Sequence, residues 1–322
     1  MPVRMVALWG ALCCRALIVS VCSVACASAQ TAGPSNPVID VHWHATLSPG
    51  DVTTPEAKTD RRNDMAALDA LHVQYIVVTG VPDALATWRD EFPDRVIPSL
   101  LFPCEKGLGP NFGRPCFPNG TEFPDIAWVR EEIKAGRVKA LGEITAQYLG
   151  IAPNDPRLEP YFALAEEFDI PVTIHLGLGP PAAAYPSSPA PIKSPNYRAS
   201  AGRPLLLEDV LLRHKRLRVS MMHAGWPLID ETIFMLRQHP GVYVDVAVLQ
   251  WTIPRPAYYE ALRRLVDAGY ADRIMVGSDG GVDRLREGIE AILKAPFLSD
   301  PQKKDILYNN AARFFRLKTA KL

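Results

Sequence analysis

The sequence predicts an α/β protein with a single closed (β/α)8 barrel, and three observations lead there. Eight short apolar runs alternate with segments whose apolar residues recur every three or four positions. Residues 30–322 supply the length that one large barrel requires. No GxGxxG motif follows the first apolar run, so an open, doubly wound sheet lacks its dinucleotide-binding turn. The glycines of GLGPPAAAY sit in a Pro- and Ala-rich loop that opens no nucleotide-binding helix.

The domain is expected over residues 30–322, because residues 1–29 read as a signal peptide. Arg4 precedes a largely apolar run, and Ala27-Ser28-Ala29 forms a small-x-small cleavage signature. Arg15 splits the run below a spanning length, and no later stretch is apolar for long enough to serve. Export to the periplasm or the exterior is therefore expected, with no stable membrane insertion after cleavage. Ser23-Val24-Ala25 lacks the large aliphatic residue of a lipobox before Cys26, which argues against lipidation. Four of the six cysteines leave with the leader. Cys104 and Cys116 remain around EKGLGPNFGRP, and an oxidising compartment favours a disulfide between them over two free buried thiols.

The strands are expected in order at 38–44, 74–80, 95–102, 138–144, 171–177, 218–225, 242–248 and 272–280. Several are almost continuously apolar, as when helices cover one face and a packed interior covers the other. DMAALDALH, IAWVREEIKAG, YFALAEEFD, LIDETIFMLRQHP and YYEALRRLVDAG supply intervening helices. DILYNNAARFFRL reads as a terminal helix in which Asn309 and Asn310 fix a loop or cap. Two connections are long: residues 103–123 after strand three and 178–203 after strand five. Their Pro, Gly and Ser content suits walls or lids at the barrel mouth better than a separate domain.

Residues two apart in a strand share a face, so His42 and His44 of VIDVHWH point together, with Asp40 deeper and Trp43 turned away. Alone, an HxH pair is a weak sign of metal. Glu143, His175, His223 and Asp279 strengthen it, because each lies near the end of a later strand, where side chains converge on the mouth. Asp245 is read as lying inside strand seven, outside this set. Unpaired buried acids are costly, so ordinary core composition does not account for the pattern. Four imidazoles and two carboxylates suit zinc or another divalent transition metal better than magnesium or calcium.

DVHWH, LGEI, IHLG, MMHAGWP, VGSDG and YNNAARFF, spread over residues 38–315, resemble the amidohydrolase superfamily of TIM barrels, specifically its amidohydrolase-related branch. That branch contains small-molecule hydrolases and nonoxidative decarboxylases such as aminocarboxymuconate semialdehyde decarboxylase. The resemblance implies that His42, His44, His175 and Asp279 bind metal. Some branch members carry Glu in place of the first strand-one histidine, and His42 leans away from those decarboxylases. With one ion, His223 stands beside the site as an acid/base or oxyanion-stabilising group. With two, the favoured arrangement, His42, His44 and Asp279 hold one, His175 and His223 hold the other, and Glu143 bridges. Glu143 resembles the strand-four Glu of TatD-type nucleases and stands where other members use a carboxylated lysine; Lys139 is too deep for that part.

The function this implies is metal-dependent hydrolysis of a small ester, lactone or amide, with Asp279 and His223 as catalytic groups. The alternative is nonoxidative decarboxylation of an aromatic or unsaturated acid, with His223 or Asp279 as proton donor. Lys193, Arg198 and Arg203, in the strand-five loop, can pair with an anionic substrate group or stand as solvated charges. Tyr148, Trp226 and Trp251 can wall a pocket or pack. Basic and acidic residues number 35 each, and loss of Arg4 and Arg15 leaves the mature chain slightly acidic. Nucleic acid is therefore not an expected partner. The basic run RHKRLR at 213–218 reads as surface charge at the far end of the barrel. Barrels of this kind often pair as homodimers, but no sequence feature marks an interface.

Overall fold

A computed structural model of the chain describes residues 37–45, 52–104, 116–188 and 194–317. The expected leader and Lys193 lie outside these residues. Eight parallel strands run in sequence order: β1 (Val38–His44), β2 (Val73–Gly80), β3 (Val96–Phe102), β4 (Ala140–Ile144), β5 (Val172–Ile174), β6 (Val219–Met221), β7 (Val242–Asp245) and β8 (Ile274–Met275). The ring closes where Val41 N donates to Val276 O and Asp279 N to His42 O, at 3.2 and 2.8 Å. Both long loops follow β3 and β5, as the sequence implies.

Helices α1 (Pro55–Ala70), α2 (Pro82–Glu91), α3 (Ile126–Lys134), α4 (Glu159–Phe168), α5 (Glu208–Arg213) and α6 (Ile229–Gln238) cover the first six strands. After β7 come α7 (Leu249–Thr252) and α8 (Arg255–Asp267), and after β8 come α9 (Val282–Lys294), α10 (Asp300–Lys304) and α11 (Asn310–Phe314). Their starts follow local chemistry. The Thr54 hydroxyl accepts Ala57 N, the Asp125 carboxylate accepts Trp128 N, and Ser299 forms a capping box with Gln302. The main core joins outward strand residues such as Trp43 to inner helix faces such as Trp88, whose rings meet edge-on at 5.6 Å. A smaller cluster joins Ile39, Val41, Val77, Ile97 and Met275 to Tyr308, Ala311 and Phe314. Among the described residues, no helix is long and apolar enough to cross a membrane.

Two expectations need correction. Strands five, six and eight stop at Ile174, Met221 and Met275, so His175, His223 and Asp279 lie just beyond the ladder. His223 and Asp279 take left-handed backbone angles, φ 56° and 50°, which the extended ladder does not allow. In the basic run at 213–218, Arg213, Lys215 and Arg216 are exposed, and several members are paired. Buried His214 sits between Glu159 and Glu166, Arg213 pairs with Glu159, and Arg218 donates to Phe314 O and Asp169 O. The second correction is Asp245, which ends β7 rather than lying within it.

Asn310 is buried and donates to Ala271 O and Ile274 O, tying α11 to the entry of β8. Cys104 and Cys116 form a disulfide across the β3 loop, as expected. Opening it through Cys104→Ser frees a 12-residue separation in the unfolded chain. The expected loss is about 2–4 kcal/mol of unfolding free energy, read as a lower urea midpoint; an unchanged midpoint would show the link contributes nothing.

Candidate metal centre

The site is set by three backbone arrangements at the C-terminal ends of the strands. In β1 the pairing with β2 shifts between Asp40 and Trp43. Asp40 Oδ1 fills that gap by accepting His42 N at 3.0 Å, and it also accepts Ser278 N at 2.9 Å. One buried carboxylate thus ties the HxH segment to the turn carrying Asp279.

At the end of β4, Thr79 accepts Glu143 N and donates to Gly142 O, both at 2.9 Å, while Ser99 donates to the same oxygen at 2.7 Å. Gly142 has φ +147°, and a Cβ there would lie 2.0 Å from Thr173 Oγ1 and 2.3 Å from Thr173 O. Only glycine fits. Past β6, Asp245 Oδ1 accepts both His223 N and Ala247 N at 3.1 Å, which holds the left-handed His223 turn in place.

These arrangements bring all six expected residues together. His44 Nε2 lies 2.8 Å from Asp279 Oδ1, and His42 Nε2 lies 3.3 Å from the same oxygen. Glu143 lies between two histidine groups. Its Oε2 is 3.7 and 3.5 Å from His42 and His44, and its Oε1 is 3.9 Å from His223. The His175 and His223 rings meet edge-on at 4.9 Å. His223 Nδ1 faces Ala247 O at 3.1 Å. A carbonyl oxygen only accepts, so that nitrogen carries the proton and Nε2 faces the cluster.

Three overlapping sets can each hold an ion: His42, His44 and Glu143; His42, His223 and Asp245; and Glu143, His175 and His223. The donors in each set lie within 4.8 Å of one another. The residues fit a cation on a second ground. Among the described residues, both His42 ring nitrogens and Asp245 Oδ2 are buried without a hydrogen-bond partner, a costly state that a cation would relieve. The cluster is thus suited to one or more divalent ions.

Electrostatics agree. Burial opposes charge on His42, Glu143, Asp279 and His175, yet mutual attraction prevails at the first three. Asp279, Asp245 and Glu143 hold the His42 imidazole well above its ordinary pKa. Contact with His42, with support from His44 and other histidines, holds Glu143 and Asp279 well below the carboxylate range. At His175 burial wins and pushes the ring down to about 4. Burial, reinforced by Glu143 and Asp279, keeps the Tyr148 phenol protonated far above its usual range.

The substrate-side expectations fare unevenly. Tyr148 is buried, with its hydroxyl 3.4 Å from His175 Nε2. Trp226 is half-buried against the core beside the His223 turn. Trp251 donates to Ser278 O at 3.2 Å and carries the Arg284 guanidinium over its ring. Arg203 is engaged by Glu231 at 3.0 Å, so it does not stand free for an anion. Arg198 is exposed and donates to Tyr197 O.

Sequence reasoning missed Asp245 and Gln147. Extending strand seven to residue 248 hid the first, since a terminal acid then looks internal. Gln147 accepts from His175 Nδ1 at 2.9 Å, and no motif announces it.

A (β/α)8 barrel that gathers imidazoles and carboxylates at the C-terminal ends of its strands defines a class of metal-centred barrels. A family model described as amidohydrolase matches residues 39–317, and the chain belongs to that family. Similar solved structures include 5-carboxyvanillate decarboxylase from Sphingomonas paucimobilis, with TM-score 0.56 and 14% identity over 88% of this chain and 99% of that one. Another is 2,6-dihydroxybenzoate decarboxylase from Rhizobium, with TM-score 0.54 and 13% identity over 88% and 100%. A third, described as a probable 2-pyrone-4,6-dicarboxylic acid hydrolase from Acinetobacter baumannii, has TM-score 0.57 and 14% identity over 87% and 99%. At these identities the likeness establishes the fold alone. No curated protein matches the sequence.

Because His42 is held protonated by its carboxylate neighbours, an ion entering the cluster displaces that proton. Affinity for Zn2+ is expected to rise with pH, about tenfold per unit for each proton released, until the pH passes the His42 pKa. Calorimetry in buffers of differing ionisation enthalpy measures the release. A pH-independent affinity would contradict the charge balance described.

Proposed function

We propose that the protein is a metal-dependent nonoxidative decarboxylase of an aromatic or unsaturated carboxylic acid. This reverses the order of the two readings drawn from sequence. Chemically, His223 carries the proposal: its Nδ1 is committed to Ala247 O, leaving Nε2 to take up and deliver a proton. Support also comes from the similar structures, whose names all specify carboxylated small molecules.

In this reading His42, His44, His175 and Asp279 hold one ion, with zinc favoured by the donor set. When bound, it supplies the positive charge that orients and polarises the substrate's oxygens. Asp279 is held ionised by its histidine neighbours, so the acid's part falls to His223. As the bond to the carboxylate breaks, its electron pair stays on the substrate carbon, His223 Nε2 delivers a proton there, and CO2 leaves. Solvent then reprotonates His223. Tyr148, which stays protonated, donates a hydrogen bond to a substrate oxygen. Residues 1–29, read as a leader, would carry this chemistry outside the cytoplasm, and the Cys104–Cys116 disulfide supports an oxidising compartment.

One observation favours a second reading, hydrolysis of an ester, lactone or amide. The two oxygens of Glu143 face different histidine groups, which suits a carboxylate bridging two ions. Ionised Asp279 then accepts the proton of the attacking water. His42, where some decarboxylases of the branch carry Glu, points the same way.

Purified protein supplied with aromatic and unsaturated acids in D2O is expected to release one CO2 per turnover without oxygen uptake. The product gains one deuterium on carbon, and chelator stops the reaction. His223→Asn is expected to lose about 10²–10⁴-fold in kcat. Cleavage of esters, lactones or amides without CO2 release, with near two ions per chain, would instead establish hydrolysis.

A further inference from the structure

Gln147 has no part in either scheme, yet its buried side chain makes three directed contacts in the turn after β4. Its Nε2 donates to Gly177 O at 2.9 Å and to the Tyr197 hydroxyl at 2.7 Å, while Oε1 faces His175 Nδ1 at 2.9 Å. Amide orientation is often an arbitrary choice between oxygen and nitrogen, but here chemistry decides it. Gly177 O is a peptide carbonyl and only accepts, so the amide atom facing it is the NH2 group. The opposite atom is therefore oxygen, and the His175 nitrogen facing it must carry hydrogen. His175 Nε2 is left as an acceptor, its lone pair on the side of the centre and 3.4 Å from the Tyr148 hydroxyl.

The orientation is set from the long β5 loop. Tyr197 accepts from Gln147 and passes its own hydrogen to Gly177 O at 3.2 Å. Gly177 N bonds Gly202 O at 2.8 Å, closing the two ends of the loop on each other. Gly202 lies against the amide so closely that a Cβ there would fall 2.4 Å from Gln147 Nε2.

We infer that Gln147 is a positioning residue that fixes His175 in the Nδ1–H form, and that Gly177, Tyr197 and Gly202 make the β5 loop the part that holds it so. The inference rests on the metal-centre reading, since it makes loop packing a determinant of ion affinity. It assigns the loop a role apart from walling the substrate.

Long-range 1H–15N NMR reads the tautomer directly, with the His175 signals identified by their loss in His175→Asn. The wild-type protein is expected to show Nδ1–H at His175 before Zn2+ is added. Nε2–H there would overturn the proposal, whatever the variants do. Gln147→Met keeps side-chain length and removes both ends of the relay. It is expected to give a mixed tautomer and about 10–100-fold weaker Zn2+ affinity by chelator competition. Gly202→Ala, which leaves every hydrogen-bonding group in place, is expected to weaken binding in the same direction. Wild-type tautomer and affinity retained in a folded Gln147→Met protein would reduce Gln147 to a structural tie. Failure of the wild-type protein to bind Zn2+, with the tautomer as expected, would sink the metal-centre reading alone.

Discussion

The structure depends most on keeping several carboxylates and imidazoles buried within a few ångströms of each other. Glu143, Asp245 and Asp279 surround His42, which is fully buried. Removing such charges from water is costly, and mutual attraction offsets that cost only where geometry is held closely. Much of the surrounding backbone serves that end. Asp40 fills the break in β1, Thr79 and Ser99 hold the peptide before Glu143, and Asp245 braces the His223 turn. A cation completes the balance, because proton and hydrogen-bond partners among the described residues do not reach every buried donor atom.

The same constraint explains where regular structure ends. His175, His223 and Asp279 lie one to four residues beyond β5, β6 and β8, in turns that aim them inward. Left-handed angles at His223 and Asp279 cost energy for residues with a Cβ, and the hydrogen bonds around them hold the conformation. A barrel tolerates this at its C-terminal rim because the layers below are already packed. The fold thereby separates stability, carried by the apolar clusters, from chemistry, carried by the rim.

Two readings of the chemistry share one set of side chains, and Glu143 and His223 divide them. Were there two ions, His223 would help hold the second, and its lone pair would be taken. A His223 that exchanges protons needs that lone pair free. The choice is therefore one of ion stoichiometry before it is one of substrate. Loop residues after β5 reach the same site through Gln147, which contacts Gly177, Tyr197 and His175.

Much of the fold and the site was legible in the sequence. The alternation of apolar runs and helical periodicity gave eight units in order, and the HxH parity placed His42 and His44 together. Glu143, His175, His223 and Asp279 were readable because polar residues at the ends of apolar runs are rare in a packed core. Strand limits were not, because apolar composition continues into turns whose backbone leaves the ladder. That error concealed Asp245. Gln147 was beyond reach for a different reason: its role arises from a carbonyl 30 residues away and a hydroxyl 50 residues away. Local pattern, period and composition determine which residues face a common centre. Tautomers, braces and the pairing of Arg203 with Glu231 depend on distances between remote segments, which only the closed barrel establishes.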